Sequence, residues 1–562
     1  MRSLLSKLPP ASRAVLSAIA ASVLFVAVWA FLDGVLNLRY PSRNPDPLYR
    51  SLLPSVDVCV LLAVFAAVGS LKQRVPTWLL AAVTVVMAFV RLFRIADGTI
   101  QWQWFRNVNL YLDVPLLADL ARLLRASVPL PRLILGGLLL MLGLAALLFL
   151  IFAALVYAQR FLASGWWQRG VFACLLLLFL VAGVSPSDQK TRSGVFEKSV
   201  APMFVEQLKF AISAKELRRL KADQIRATQR RLEQMPSSMT ALRGADVLFF
   251  LIESYGSSVF RKPELQGIVE PELESFRSTL TQQGYFMASK YFESCTYGGG
   301  SWWAHATLAT GVRVGDGLEY AVVLQIAPPP RTLASTFQQA GYRTVLVQPG
   351  MTRPFPEGMV HGFVKKYYLP HLEYRGPNFS WAPVPDQYVV DFIDRREVEP
   401  HTQPLFIQYV LVSSHAPWST LPTPVDDWSQ VRDTAVFQKH QKTFPVGWSN
   451  LGDGGPAYGH SIAYDFEIIR RYLLERLTHN SLIIILGDHQ PAGSVTGNDP
   501  SWAVPVHVLS RDRSLIERFV AAGYTGGMTP SANRSVPGME TFFTELVGCL
   551  SAPDAPPPSD AH

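Results

Sequence analysis

The sequence predicts a chain in two parts, an N-terminal anchor of five membrane-spanning helices followed by an α/β domain on a mainly parallel sheet. Three observations predict it. Apolar residues crowd the chain before about residue 185. Beyond residue 246, short and wholly apolar runs alternate with helical patterns. Residues able to ligate a metal stand directly after the first and last of those runs. A mean hydropathy of +0.19 is high for a chain wholly in water, so the two parts belong in different solvents.

The anchor comes first. Crossing the hydrocarbon core as a helix takes about 20 apolar residues, somewhat fewer where flanking residues snorkel. Five stretches qualify: Ala14 to Leu32, Ser55 to Leu71, Trp78 to Phe93, Leu133 to Tyr157 and Gly170 to Val184. Arg2, Lys7 and Arg13 precede the first as in a signal peptide, but four further spans favour a multi-pass anchor over a cleaved leader. Those residues, with Lys72, Arg74, Arg160 and Arg169 in two connectors, fall on one side, which the positive-inside rule makes cytoplasmic. Five crossings then put everything after residue 185 outside. Against this stands the loop after the third span, with Arg94, Arg106, Arg122, Arg125 and Arg132; Asp97, Asp113 and Asp119 offset them. Within that loop Trp102, Trp104 and Phe105 read as interfacial anchors, and Asp113 to Leu130 as an amphipathic helix or a solvated loop.

Residues 185–243 form a basic linker. Phe204, Leu208, Ile212, Leu217, Leu220 and Ile225 recur at helical spacing among lysines and arginines. Such a helix rests on anionic head groups, packs on the following domain, or does both. The net charge of +8 is scattered rather than gathered into a reading helix, so an anionic lipid surface is the expected partner and nucleic acid is not. Cys59 and Cys174 lie in apolar runs; whether Cys295 and Cys549 pair is left open by their spacing.

Residues 244–551 carry the chemistry, and 552–562 read as a disordered tail. Val247 to Ile252, Thr344 to Val347, Leu405 to Leu411 and Leu482 to Leu486 are buried-strand runs, with helical patterns at Leu333 to Ala340 and Ile462 to Leu477. Ligands of such sheets lie beyond the carboxyl ends of the strands. There stand Glu253 after the first run and Asp488-His489 after the last, a donor set suited to Mn²⁺ or Zn²⁺. Between them, Gly298-Gly299-Gly300 allow a sharp turn and Ser301 opens a short helix ending at Gly311. Free N–H groups and the dipole at that end favour a phosphate and a seryl alkoxide. The plainer reading of Ser301 is a helix cap; the metal-type residues nearby favour a nucleophile.

On these motifs the chain resembles the lipoteichoic acid synthase type of phosphoglycerol transferase, and more distantly phosphoethanolamine transferases and sulfatases. The resemblance implies the alkaline phosphatase/sulfatase-like fold. It implies a metal held by Glu253, Ser301, Asp488 and His489, with Ser301 where the synthases have a Thr nucleophile. Thr310-Gly311 stands at the sulfatase distance from Ser301, but Ser301-Trp-Trp-Ala-His305 lacks the proline and arginine of the formylglycine signature, so a plain serine doing phosphoryl transfer is implied. Phosphoethanolamine transferases carry a Thr soon after a Cys, which makes Thr296 the rival nucleophile. His415, in Ser414-His-Ala-Pro-Trp418, matches a histidine that contacts the substrate phosphate. Arg353 and Phe355 stand where the synthases hold the head group, with Gln348 in place of a His, which leaves the head group open. The implied activity is transfer of a phospho-head group, phosphoglycerol first, from a membrane phospholipid to an extracytoplasmic glycan or polymer. The alternatives are phosphoethanolamine transfer, ester hydrolysis, or a non-catalytic binding domain; the last is disfavoured because all four metal-type positions are present.

Overall fold

The computed structural model describes residues 9–38, 40–42, 54–184, 199–353, 360–447, 452–531 and 535–551. The chain divides into two compact units, 1–102 with 106–212, and 103–105 with 213–562.

The first unit is helical. Helices α1 (Pro10–Asn37), α2 (Val56–Ser70), α3 (Thr77–Trp104), α5 (Leu130–Ala163) and α6 (Trp166–Val184) coincide with the five apolar stretches, and α4 (Leu117–Ser127) lies before α5. By length and composition α1, α3 and α5 are able to cross a membrane, whereas the apolar α2 and α6 are shorter. The helices start where chemistry permits. Pro10 sits in the first turn of α1, where its missing N–H costs nothing. Ser55 caps α2 by accepting from the Val58 N–H, while its own N–H and hydroxyl donate to buried Asp33 at 2.9 and 2.7 Å. Phe25, Trp29, Leu62, Phe65, Leu155 and Leu162 pack inside, and large apolar side chains of α1 and α5 face outward. In the loop, Arg106 pairs with Asp113 at 2.7 Å and Asp97 accepts from the Val108 N–H at 2.9 Å. On α4 Leu117, Leu120 and Leu124 form an exposed apolar row, as expected of the amphipathic segment. The residues 185–198 and the expected tail at 552–562 lie outside the described residues.

Helix α7 (Ala201–Glu233) takes up the basic periodic segment, and the boundary between units falls within it. The second unit is built on an eight-stranded sheet. Its strands are β1 (Asp246–Ile252), β2 (Phe286–Glu293), β3 (Arg343–Gln348), β4 (Lys365–Tyr368), β5 (Leu405–Leu411), β8 (Ser481–Gly487), β9 (Ala503–Ser510) and β10 (Thr525–Gly526), with β6 (Thr420–Pro422) and β7 (Gln441–Thr443) forming a separate pair. The order is β10-β2-β9-β8-β1-β5-β3-β4. From β8 to β4 every pairing is parallel, while β9, β2 and β10 add an antiparallel margin.

Strand β1 sits between β8 and β5 and is buried along its whole length, which is why it reads as an unbroken apolar run. Its side chains alternate between two cores. Leu248, Phe250 and Ile252 join the cluster covered by α8 (Pro263–Gln282) and α12 (Gly455–Glu475). Phe249 instead packs on Phe406 and on Phe542 of α14 (Phe542–Ser551), with Phe337 of α10 (Leu333–Gln339) stacked on Phe406 at 4.1 Å. Helices α9 (Ser301–Thr310), α11 (Asp386–Ile393) and α13 (Arg513–Ala521) complete the domain. Cys295 and Cys549 are unpaired; Cys295 accepts from the Thr307 hydroxyl, and Cys549 lies against the Arg518 carbonyl.

Candidate metal centre and nucleophile

The parallel pairing of β1 with β8 brings Ile252 beside Gly487, so the residues that follow them leave the sheet side by side. After β1, Ser254 takes the left-handed backbone conformation (φ 60°), unusual for a residue with a side chain. It is held at both ends: its N–H donates to Asp488 Oδ1 at 2.8 Å, and its carbonyl accepts from the Tyr458 hydroxyl at 2.7 Å. This turn aims Glu253 at His489, with 3.3 Å between Oε1 and Nε2. Strain of this kind gathers where a site must be held in one geometry.

The third arm comes from the glycine turn. Gly298, Gly299 and Gly300 all have positive φ (68°, 155° and 79°), which only glycine adopts without cost. The Gly298 N–H donates to the Gln490 carbonyl, and the Ser294 hydroxyl to the Asp488 carbonyl, so the turn is tied to the end of β8. Gly300 occupies the cap position of α9 and Ser301 is the first helical residue. The Ser301 hydroxyl therefore does not cap the helix. It points to Glu253, 3.0 Å from each carboxylate oxygen, and lies 3.1 Å from His489 Nε2.

Glu253, Asp488 and His489 are buried, and one ligand atom from each lies within 4.8 Å of the others. The set fits a divalent cation on two further counts. Asp488 Oδ2 is buried with no hydrogen-bond partner, although Oδ1 accepts from two N–H groups at 2.8 Å. His489 Nδ1 donates to the Gln490 carbonyl at 2.7 Å, which fixes the tautomer and turns the Nε2 lone pair to the cluster. Without a cation, burial alone would depress the His489 imidazole, but the Asp488 and Glu253 carboxylates outweigh it and lift it to about 9. Burial would raise Asp488; His489 and His305 hold it well below the usual carboxylate range.

The other sequence candidates lie nearby or apart. Thr296 is buried, and its hydroxyl donates to the Gly299 carbonyl, inside the turn. His415 follows β5, whose Leu411 pairs with Ile252, so it leaves the same sheet edge as Glu253. Its Nδ1 donates to the Ala416 carbonyl at 2.6 Å and its ring stacks on Trp381, with centroids 3.8 Å apart. Arg353 is exposed on the segment after β3; Phe355 lies outside the described residues. Among the described residues no hydrogen bond or ion pair joins His415 or Arg353 to the Ser301 cluster.

Three residues escape a reading of the sequence. His305 stands where the sulfatase signature would have arginine, one helical turn after Ser301, and its Nε2 lies 3.7 Å from Asp488 Oδ2. The spacing of four was the available signal. His361 is buried with both ring nitrogens unpartnered, and burial, then His305 and Lys366, hold it at about 3. Trp381 carries the ring on which His415 stacks, and Gly350 packs so closely on that ring that a Cβ would lie 2.9 Å away. No local motif marks it.

Residues 279–506 match the Sulfatase family model. The second unit carries a sulfatase-family domain. A search of curated protein sequences returns no match. Among solved structures, the chain is similar to the lipoteichoic acid synthase of Listeria monocytogenes (15% identity, 55% of this chain and 72% of that one, TM-score 0.37). It is similar to the phosphoglycerol transferase of Streptococcus pyogenes solved with sn-glycerol-1-phosphate (13%, 63% and 88%, 0.37). It is also similar to the integral membrane lipooligosaccharide phosphoethanolamine transferase of Neisseria meningitidis (13%, 93% and 95%, 0.43).

Proposed function

We propose that this protein is a multi-pass inner-membrane phosphotransferase that moves a phospho-head group, phosphoglycerol by preference, from a phospholipid through Ser301 to an extracytoplasmic glycan or polymer. One observation carries the reading. The Ser301 hydroxyl stands at the start of α9 and faces Glu253 and His489, within a buried donor set that has an unpaired carboxylate oxygen. Thr296 is less suited to attack, since its hydroxyl is spent on Gly299.

Glu253, Asp488, His489 and Ser301 would hold the cation, Mn²⁺ or Zn²⁺; when bound it lowers the pKa of the hydroxyl and offsets charge on the phosphoryl oxygens. In the first half-reaction Ser301 Oγ bonds to phosphorus and the lipid oxygen departs as diacylglycerol, taking a proton. In the second an acceptor hydroxyl displaces Ser301 Oγ, which regains its proton. The α9 N-terminus and His415 Nε2, left free because Nδ1 is bonded, stabilise the transferring phosphate. An anchor of five crossings keeps the domain beside its lipid donor on the outer face. Trapping the intermediate and weighing the Ser301 peptide tests the proposal: a glycerol phosphate adduct is expected, an ethanolamine phosphate adduct moves the head group, and an unmodified Ser301 beside a modified Thr296 overturns the nucleophile.

A further inference from the structure

Beneath the His415 loop two aspartates meet in the domain interior. Asp386 is the first residue of α11 and is fully buried. Its carboxylate accepts from the Val412 N–H at 3.0 and 3.1 Å and from the Ser413 N–H at 2.7 Å, while its own N–H donates to the Ser413 hydroxyl at 3.3 Å. Val412 and Ser413 are the first two residues after β5, so Asp386 fixes the direction in which the chain departs toward His415. Asp465, from the middle of α12, lies against Asp386 and the Ser414 hydroxyl and is equally buried. By geometry neither oxygen of Asp465 makes a full hydrogen bond, and among the described residues the Ser414 hydroxyl beside it is the one side-chain donor at hand.

Two adjacent buried carboxyls do not both ionise; a single proton shared between them turns their repulsion into a hydrogen bond. The groups around them do not change this. From the loop come N–H groups and the hydroxyls of Ser413 and Ser414, with the His415 ring turned to Trp381. From α12 comes Tyr464, whose hydroxyl accepts from the Gln387 N–H and which also feels Glu467. Burial raises both aspartates, and for Asp465 the charge of Asp386 adds to it.

We propose that Asp386 and Asp465 form a proton-sharing pair whose task is to position the His415 loop, Asp386 by gripping its backbone and Asp465 by keeping one proton on the pair. The role of the loop in turnover rests on the function proposed above; the pair itself does not. Because folding raises these carboxyls, the stability they contribute is complete at low pH and is lost as the pH rises through the raised value. Above it both ionise, repel, and loosen the loop.

The test uses the full-length protein in detergent. Thermal unfolding is followed from mildly acidic to alkaline pH for the unmodified protein, for Asp465→Asn and for Asp386→Asn. Asp465→Asn keeps a hydrogen-bond donor without the titration, so its Tm should fall less at alkaline pH than that of the unmodified protein, and its alkaline limb of turnover should move up. Asp386→Asn removes one of the gripping oxygens; turnover should drop by up to about 100-fold through misplacement of His415, with the metal-induced Tm shift retained. Infrared absorption should show a protonated carboxyl at neutral pH that either substitution removes. Parallel Tm curves for Asp465→Asn and the unmodified protein, or an unchanged carboxyl band, overturn the pair. If no lipid donor is turned over, the Tm and infrared arms still decide it.

Discussion

Ser301 and Thr296 are five residues apart, both hydroxyls, both beside the same glycines, and composition does not separate them. Geometry does: one faces the metal-type residues and the other closes the turn. Ser301→Ala should leave Tm nearly unchanged, since the hydroxyl caps nothing, and reduce turnover by a factor of about 10³ or more. Thr296→Ala should keep most of the turnover and lose stability instead. A steady-state assay with calorimetry separates the two, and the reverse pattern would make Thr296 the nucleophile. Glu253, Asp488 and His489 were legible because they stand within three residues of the ends of apolar runs. Trp381 was not, because its partner His415 is distant in the chain and ring stacking leaves no periodic trace.

At the scale of elements, the strands that read most clearly are those buried on both faces. All four expected runs are strands of the parallel block. The margin was harder to see. Strand β9 contains Pro505, which argues against a strand buried in a sheet. Its pairing with β8 covers Val506 to Leu509, so Pro505 lies just beyond it and its missing N–H leaves no gap in that ladder. Where the elements meet, tolerance is small. A Cβ on Gly487 would fall 1.7 Å from the Tyr255 carbonyl oxygen, a backbone atom unable to step aside. Gly487→Ala should therefore cost at least the ~1–3 kcal/mol typical of overpacking and displace the Asp488-His489 pair. Scanning calorimetry with and without added metal would show both losses; a normal metal response would mean that the strand ends shift freely.

For the whole molecule, the apolar and the mixed parts of the sequence fold as a helical unit and an α/β unit. Chelation should lower Tm and abolish turnover, because a cation bound only to the folded state stabilises it by about 2.7 kcal/mol at one hundred times its Kd; equal Tm in chelator and in Mn²⁺ or Zn²⁺ would remove the proposed centre. A reporter active only outside the cytoplasm should work when fused after Val184 and stay silent after Arg74, and the opposite result would invert the anchor. The position of β1 has one more consequence, in time rather than in space. Ser301 meets Glu253 across 48 residues but His489 across 188, and β1 cannot be flanked on its second side until β8 exists. During synthesis the chain emerges from its N-terminus. The anchor residues are made first, and the centre stays chemically silent until some of the last residues of the domain have joined it. A chain released early is thus an inert membrane passenger rather than an unregulated enzyme.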